Sequence, residues 1–210
     1  MMPDGTVWAD SWEIAAGAGM GTIDEELKTM FDTKLGPCAT IVTWYLIRAP
    51  FKCYRGFADE QYQGPFQLLY APVYRALLHP LLMRILRKVI GYDAKFADAV
   101  ETIDRVFAHV GDQLNLSGHS YLGGETPGLA DFAFAALSKM LVMPDDIDDG
   151  PTTLMAAWRI RTTDLGAAGH PSDPPPELTA LIARYRATPA GQLVLRVYKR
   201  HRREVLPAGR

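Results

Sequence analysis

The chain predicts an all-α protein, and three observations carry that expectation. Over residues 94–116 the apolar positions Phe96, Val100, Ile103, Phe107, Val110 and Leu114 recur at spacings of three and four, with Asp98, Glu101, Asp104, Arg105 and Asp112 outside them. That is the period of a helix with one buried face. Residues 121–137 read as a turn that ends in a capped helix, and this helix is apolar nearly all round, which places it in the middle of a helical domain. No alternating run is long enough for a real sheet, and no internal repeat is present.

The elements follow in order. Thr6-Val7-Trp8 is a very short strand-like fragment. Residues 10–15, Asp-Ser-Trp-Glu-Ile-Ala, read as a helix start: Asp10 or Ser11 can cap it, and Glu13 lies in capping-box register with Asp10. Gly17, Gly19 and Gly21 end that helix almost at once. Residues 24–47 suit a long helix with Leu27, Met30, Phe31, Leu35, Ile41, Trp44 and Tyr45 inward, and Gly36-Pro37 in its middle implies a kink or a break. Residues 49–66, with Pro50, Gly56, Gly64 and Pro65, read as an irregular connection. After the helices at 94–116 and 129 onward come an acidic turn at 145–150, a helical stretch at 151–165, a Gly/Pro/Ser loop at 167–176, and two last helices at 178–186 and 190–204.

Residues 68–90 come closest to a membrane segment, but Pro72 and Pro80 interrupt them and Arg75, His79, Arg84 and Arg87 stud them. Those charges exclude a spanning helix. An amphipathic helix is expected instead, with Leu78, Leu81, Leu82, Ile85, Leu86 and Val89 inward. Packing within the fold is the preferred reading, and interfacial membrane binding the weaker one.

Composition narrows the function classes. With 210 residues there is room for one good core, or for one large and one vestigial domain. Apolar residues at 48% and charged ones at 22% mark a soluble globular protein rather than a disordered chain. A net charge of -2 gives no sign of a nucleic-acid binder. The basic run Arg196, Lys199, Arg200, His201, Arg202 and Arg203 reads as the decoration of a helix C-terminus. Cys38 and Cys53 fit neither a disulfide framework nor a metal site, and each reads as a small buried hydrophobe. A reduced, cytoplasmic setting is expected, since the first residues also lack the pattern of a signal peptide. His79, His109, His119, His170 and His201 show no metal spacing, so no metal is expected. Gly17, Gly19 and Gly21 follow a helix rather than a strand and make no phosphate loop.

The cap at residues 121–137 carries the first family resemblance. Gly123-Gly124 and Thr126-Pro127-Gly128 break the backbone. With Gly128 as N-cap, Asp131 takes the third helical position, where its carboxylate reaches back to the free N–H groups of the first turn. Tyr121-Leu122-Gly123-Gly124, Pro127 and Ala130-Asp131 together resemble the signature that opens the central helix in the C-terminal domain of glutathione S-transferases. The family usually has Ser or Thr where this chain has Gly128, a change that costs only about a few tenths of a kcal/mol. The motif's meaning is structural.

A second resemblance covers residues 4–15. Asp4-Gly5-Thr6-Val7-Trp8-Ala9-Asp10-Ser11-Trp12-Glu13-Ile14-Ala15 is similar to the strand and acid-Ser helix start that close the thioredoxin-like N-terminal domain of the same family. The resemblance implies glutathione contacts for Asp10 and Ser11, Ser11 and nearby N–H groups receiving the γ-glutamyl carboxylate and Asp10 the ammonium. Read without the family, the two residues cap a helix. A third likeness, Arg184-Tyr185-Arg186-Ala187-Thr188-Pro189-Ala190-Gly191 followed by Leu195-Arg196 and Tyr198, resembles the tail of a bacterial-type subgroup. It is also explained as a helix, a Thr-Pro turn and a second helix.

The family thus implies a thioredoxin-fold remnant at residues 1–22 and a C-terminal-type helical bundle at 23–206. It implies glutathione as co-substrate, conjugation to apolar electrophiles, and a homodimer. Trp44, Tyr45 and Tyr54 are candidates to line the pocket for the electrophile, although such aromatics also serve as core. The family's thiol-activating residue and its cis-Pro turn precede the Asp-Ser pair, and this chain begins after both. Two expectations follow: a truncated product of a full enzyme, or a chain that kept the helical domain for binding or assembly. The rival class is therefore a non-catalytic interaction or scaffold protein built on the same helices.

Overall fold

The computed structural model of the chain describes residues 11–47, 73, 77, 79–144 and 176–201. The strand-like fragment at 6–8, the connection at 49–66, Cys53 and the stretch at 151–165 lie outside the described residues. Those described are mostly helical and include no β-strand, only an isolated bridge between Tyr121 and Gly124.

Helix α1, Ser11–Ala15, runs into a wide turn that leaves helical geometry at Gly19, as the run of glycines predicts. Asp24 then starts α2, Glu25–Met30: its carboxylate accepts the N–H of Glu26 at 2.9 Å and of Leu27 at 3.3 Å, which satisfies orphan donors of the first turn. The expected kink is a π-type turn, Phe31–Leu35, that leads without a break into α3, Gly36–Ile47. The Gly36 N–H reaches five residues back to the Phe31 carbonyl. Pro37 has no N–H and its ring presses on the carbonyl four residues earlier, so a widened turn immediately before it lets the helix continue.

Helix α4, His79–Ile90, meets α5, Tyr92–Ser117, at a corner made by Gly91 alone. Gly91 has φ +66° and still donates to the Arg87 carbonyl at 3.1 Å. Only a residue without a side chain takes that left-handed geometry freely. Helix α5 buries Ile103, Phe107, Val110 and Leu114 as its periodicity predicts, and Ala99 and Val106 besides, while the expected Phe96 and Val100 are half-buried. Tyr45 stacks on Phe96, while further back along α3 Cys38 reaches Thr102. The two helices therefore run in opposite directions.

The central helix is α6, Leu129–Val142. It packs against α3, the wide turn before it, α7 (Pro176–Arg186) and α8 (Pro189–His201). Its N-terminus is held by Asp131, which is fully buried. The carboxylate accepts the N–H of Gly128 at 2.8 Å, of Leu122 at 2.7 Å and of Gly123 at 3.4 Å. Two of the three donors thus come from the preceding turn, beyond the first helical turn that the sequence reading invoked. Aromatic rings lock the core. Phe134 lies 5.6 Å from Phe31 and 5.2 Å from Phe107, and Phe107 lies 4.5 Å from Tyr185. These contacts tie the turn before α3 to α6, α5 and α7.

Thr188 caps α8. Its hydroxyl donates to the Tyr185 carbonyl at 2.7 Å and accepts the Gly191 N–H at 3.0 Å, with Pro189 at the first helical position. Gly191 faces the end of α7 so closely that a Cβ there would stand 2.0 Å from the Tyr185 carbonyl oxygen.

One expectation is corrected. Leu81, Ile85 and Val89 do not turn inward: they are 55%, 49% and 75% exposed. Met83 is the buried residue of α4, and Leu82, Leu86 and Ile90 are half-buried. The one-residue corner lets α4 touch α5 only along a narrow strip, too narrow to cover an apolar arc as wide as this helix carries.

Candidate functional site

Of the residues singled out in the sequence, Asp10 and Tyr54 lie outside the described residues. Ser11 is the first residue of α1. Its neighbour Trp12 donates its indole N–H to both carboxylate oxygens of Asp32, at 2.9 and 3.1 Å, and fixes α1 to the wide turn ahead of α3. Tyr45 stands near the far end of α3, about 20 Å along the helix from that anchor. The start of α1 and the described candidates Trp44 and Tyr45 therefore occupy different levels of the bundle.

Tyr45 is the better placed candidate. It is half-buried and stacks on Phe96 with ring centroids 3.7 Å apart and an interplanar angle of 20°. Its ring helps to wall a cleft of about 760 Å³ shared with Pro80, Met83, Tyr92, Arg84 and Arg87. The Tyr92 hydroxyl donates to the Met83 carbonyl at 3.4 Å and joins α4 to α5 behind the cleft. Arg87 pairs with Asp93 at 2.5 Å, while Arg84 stands exposed on α4. The arrangement offers an aromatic and thioether wall for an apolar group beside a guanidinium for an anionic one. Trp44, also half-buried, packs against the core, which is the role a core aromatic takes.

A second groove, about 790 Å³, runs between α2–α3 and α5, with Lys34, Cys38, Thr102, Arg105 and His109 among its lining residues. Burial pushes the Cys38 thiol up, against the opposing effects of the Thr102 hydroxyl and the Arg105 charge. The Nε2 atom of His109 is buried without a hydrogen-bond partner among the described residues. Cys38, expected as a small buried hydrophobe, is half-buried beside Thr102, Arg105 and His109. Their spacing of three and four along α5 was a readable signal, since it puts all three on one stripe.

His119 and His201 serve local structure. His119 is exposed beside Glu125, Nδ1 to Oε1 3.0 Å. His201 Nε2 lies 2.8 Å from the Tyr121 hydroxyl. Arg196, read from sequence as part of a basic decoration, donates to the Ser120 carbonyl and lies 5.7 Å from the centre of the Tyr121 ring. Helix α8 thus pins the turn that feeds α6. No group of three or more His, Cys, Asp or Glu close enough to hold a metal occurs among the described residues. No helix among them is long and apolar enough to cross a membrane.

Compared with protein-family models, curated proteins and solved structures, the chain matches none.

Proposed function

We propose that this chain is a glutathione S-transferase-like protein: a helical bundle of that family's C-terminal type, behind a short thioredoxin-fold remnant, that binds glutathione and an apolar electrophile. The observation that supports it most is the Asp131 carboxylate, fully buried and holding three backbone N–H groups. Residues 121–131 behave as one unit, in which the glycine-rich turn and the helix start share a single acid. In this reading Asp10 and Ser11 meet the peptide part of glutathione, and Trp44, Tyr45 and Tyr54 are the candidates to line the electrophile's pocket, although Tyr45 stands about 20 Å along α3 from the start of α1, farther than one glutathione spans between its γ-glutamyl end and its sulfur. Lowering the pKa of the glutathione thiol needs a donor or cation beside the sulfur. The described lining of the cleft holds Arg84, Arg87 paired with Asp93, and the hydroxyls of Tyr45 and Tyr92, and this reading assigns the thiol-activating role to none of them. The reading carries with it a homodimer and a cytoplasmic location.

Retention on immobilised glutathione, measured beside turnover of an aryl halide with glutathione, tests this. Retention with turnover supports the transferase. Retention without turnover leaves a glutathione-binding protein and removes the enzyme. Neither retention nor turnover ends the proposal for this chain. The second reading, a non-catalytic interaction or scaffold protein, is favoured by the outward apolar row on α4, a surface that a monomer without partners has no reason to keep.

A further inference from the structure

We propose that α4 is a docking surface for an anionic lipid bilayer, on which it lies in the plane of the interface. The proposal goes beyond the glutathione reading and is independent of it.

Three observations meet on this helix. Leu81, Ile85 and Val89 repeat every four residues and are exposed, and Val73 and Leu77 continue the same spacing at 41% and 66% exposure. On α4, with 3.6 residues per turn, Leu81, Ile85 and Val89 form one slowly winding row. Met83 turns the opposite way, into α5, and anchors the helix so that the row faces out. Arg84 and Lys88 are exposed and stand three residues after Leu81 and Ile85 respectively, hence directly beside the row, and Arg87, paired with Asp93, follows on its polar flank.

Charge chooses the occupant. From residue 61 to residue 92 the chain has no acidic side chain, while it carries Arg75, Arg84, Arg87 and Lys88. The whole protein has a net charge of -2, so this segment is a basic island on an acidic chain. An apolar row edged by cations fits a surface with hydrocarbon below and negative head groups above. Leu, Ile and Val enter the acyl boundary while Arg and Lys extend their stems and keep their charges at the head-group level. A second copy of this chain would bring the same cations face to face, and like charges in register repel.

The test is co-sedimentation of the full chain with phosphatidylcholine vesicles and with phosphatidylcholine vesicles that contain phosphatidylglycerol. Binding to the anionic vesicles is expected to exceed binding to the neutral ones and to weaken as salt rises. The double variant Leu81→Gln/Ile85→Gln is expected to abolish it. Arg84→Gln/Lys88→Gln is expected to weaken it by about fivefold for each cation removed, roughly 25-fold in all. Circular dichroism before mixing establishes that both variants are folded, as exposed positions predict. Equal partition onto neutral and anionic vesicles, or partition that both variants leave unchanged, would overturn the proposal. So would a wild-type dimer that Leu81→Gln/Ile85→Gln converts to monomer while neither form binds vesicles. None of these readouts involves glutathione, so this proposal and the transferase reading fail separately.

Discussion

Asp131 and Arg186 hold opposite ends of one helix. The Asp131 carboxylate gathers three N–H groups at the start of α6, and the Arg186 guanidinium donates to the Val142 carbonyl at 2.8 Å and to the Met143 carbonyl at its end. An anion at the N-terminus and a cation at the C-terminus both oppose the helix dipole. The pair thus fixes the central element of the bundle to the turn before it and to α7 behind it.

Replacing the fully buried Asp131 with Ala leaves three N–H donors of a partly buried turn without their acceptor. The expected loss is about 3–5 kcal/mol, since each unsatisfied buried donor costs on the order of 1–3 kcal/mol and some relaxation returns part of it. Urea denaturation of Asp131→Ala measures it, and a loss under about 1 kcal/mol would refute the role given to this carboxylate.

At the other end, Arg186→Met keeps the apolar stem and removes the donors. Met143 holds φ +47° to end the helix, and its carbonyl then loses its cation. A loss of about 2 kcal/mol is expected, and Arg186→Lys is expected to recover less than half because a point charge cannot serve two carbonyls in a fork. Full recovery by Lys, read from the denaturation midpoint, would contradict the geometry.

These two ends differ in how far the sequence reveals them. Asp131 was legible because an acid three residues after a glycine cap is a local pattern. Its donors at Leu122 and Gly123 were not, because they depend on how the turn folds back. Nothing near Arg186 marks it as the cap of a helix more than forty residues earlier. The periodicity of α5 gave its buried face directly, since that helix packs along much of its length. In α4 the same reasoning named the apolar residues but not the side that meets the core, because the arc is wider than the strip α5 covers. Tyr45 was legible as an aromatic of α3, whereas its place in a cleft with Arg84 depends on where α4 lies. The Thr102, Arg105 and His109 stripe is readable in its spacing, but its meeting with Cys38 depends on the pairing of α3 with α5.

Two helical glycines should respond in opposite senses to alanine. A Cβ at Gly191 would stand 2.0 Å from the Tyr185 carbonyl oxygen and 2.8 Å from its carbon, both backbone atoms. Gly191→Ala must therefore force α7 and α8 apart, at a cost of about 3 kcal/mol or more. A Cβ at Gly111 would meet only the Pro189 ring at 3.7 Å, ordinary contact in the middle of α5. Gly111→Ala should stabilise by about 0.5–1 kcal/mol through helix propensity and unfolded-state entropy. Thermal melts of the two variants give the signs, and the same sign for both would count against this packing.

Alkaline pH should weaken the fold through Tyr185. Burial, then its hydrogen bond to Asp104, push its phenol well above the usual range, with Arg184 opposing. The unfolded phenol releases its proton near pH ~10 while the folded one keeps it. The folded state then binds more protons, so stability falls as pH rises above that point and is fully present below it. Burial raises Tyr198 in the same direction. Tyr185→Phe should start less stable at neutral pH, having lost its polar partners, and lose less between neutral and strongly alkaline pH than the parent does. Parallel pH profiles for parent and variant would remove this account.

The cleft can be tested without assuming any reaction. An aryl sulfonate dye such as anilinonaphthalene sulfonate combines an apolar ring system with an anion, the two features that Tyr45 and Arg84 address. Tyr45→Ala removes the wall that stacks on Phe96, and Arg84→Gln removes the guanidinium beside it. Each should weaken dye binding by about tenfold, from lost aromatic contact in one case and a lost charge-assisted contact in the other. The outward row on α4 also attracts such dyes, so Leu81→Gln/Ile85→Gln must be titrated in parallel. If that variant abolishes binding while Tyr45→Ala and Arg84→Gln leave it intact, the dye reports the exposed row. The cleft would then have no claim as the substrate site. If Tyr45→Ala and Arg84→Gln weaken it together and the row variant does not, the aromatic wall and the guanidinium act on one ligand, as their positions around the cleft predict.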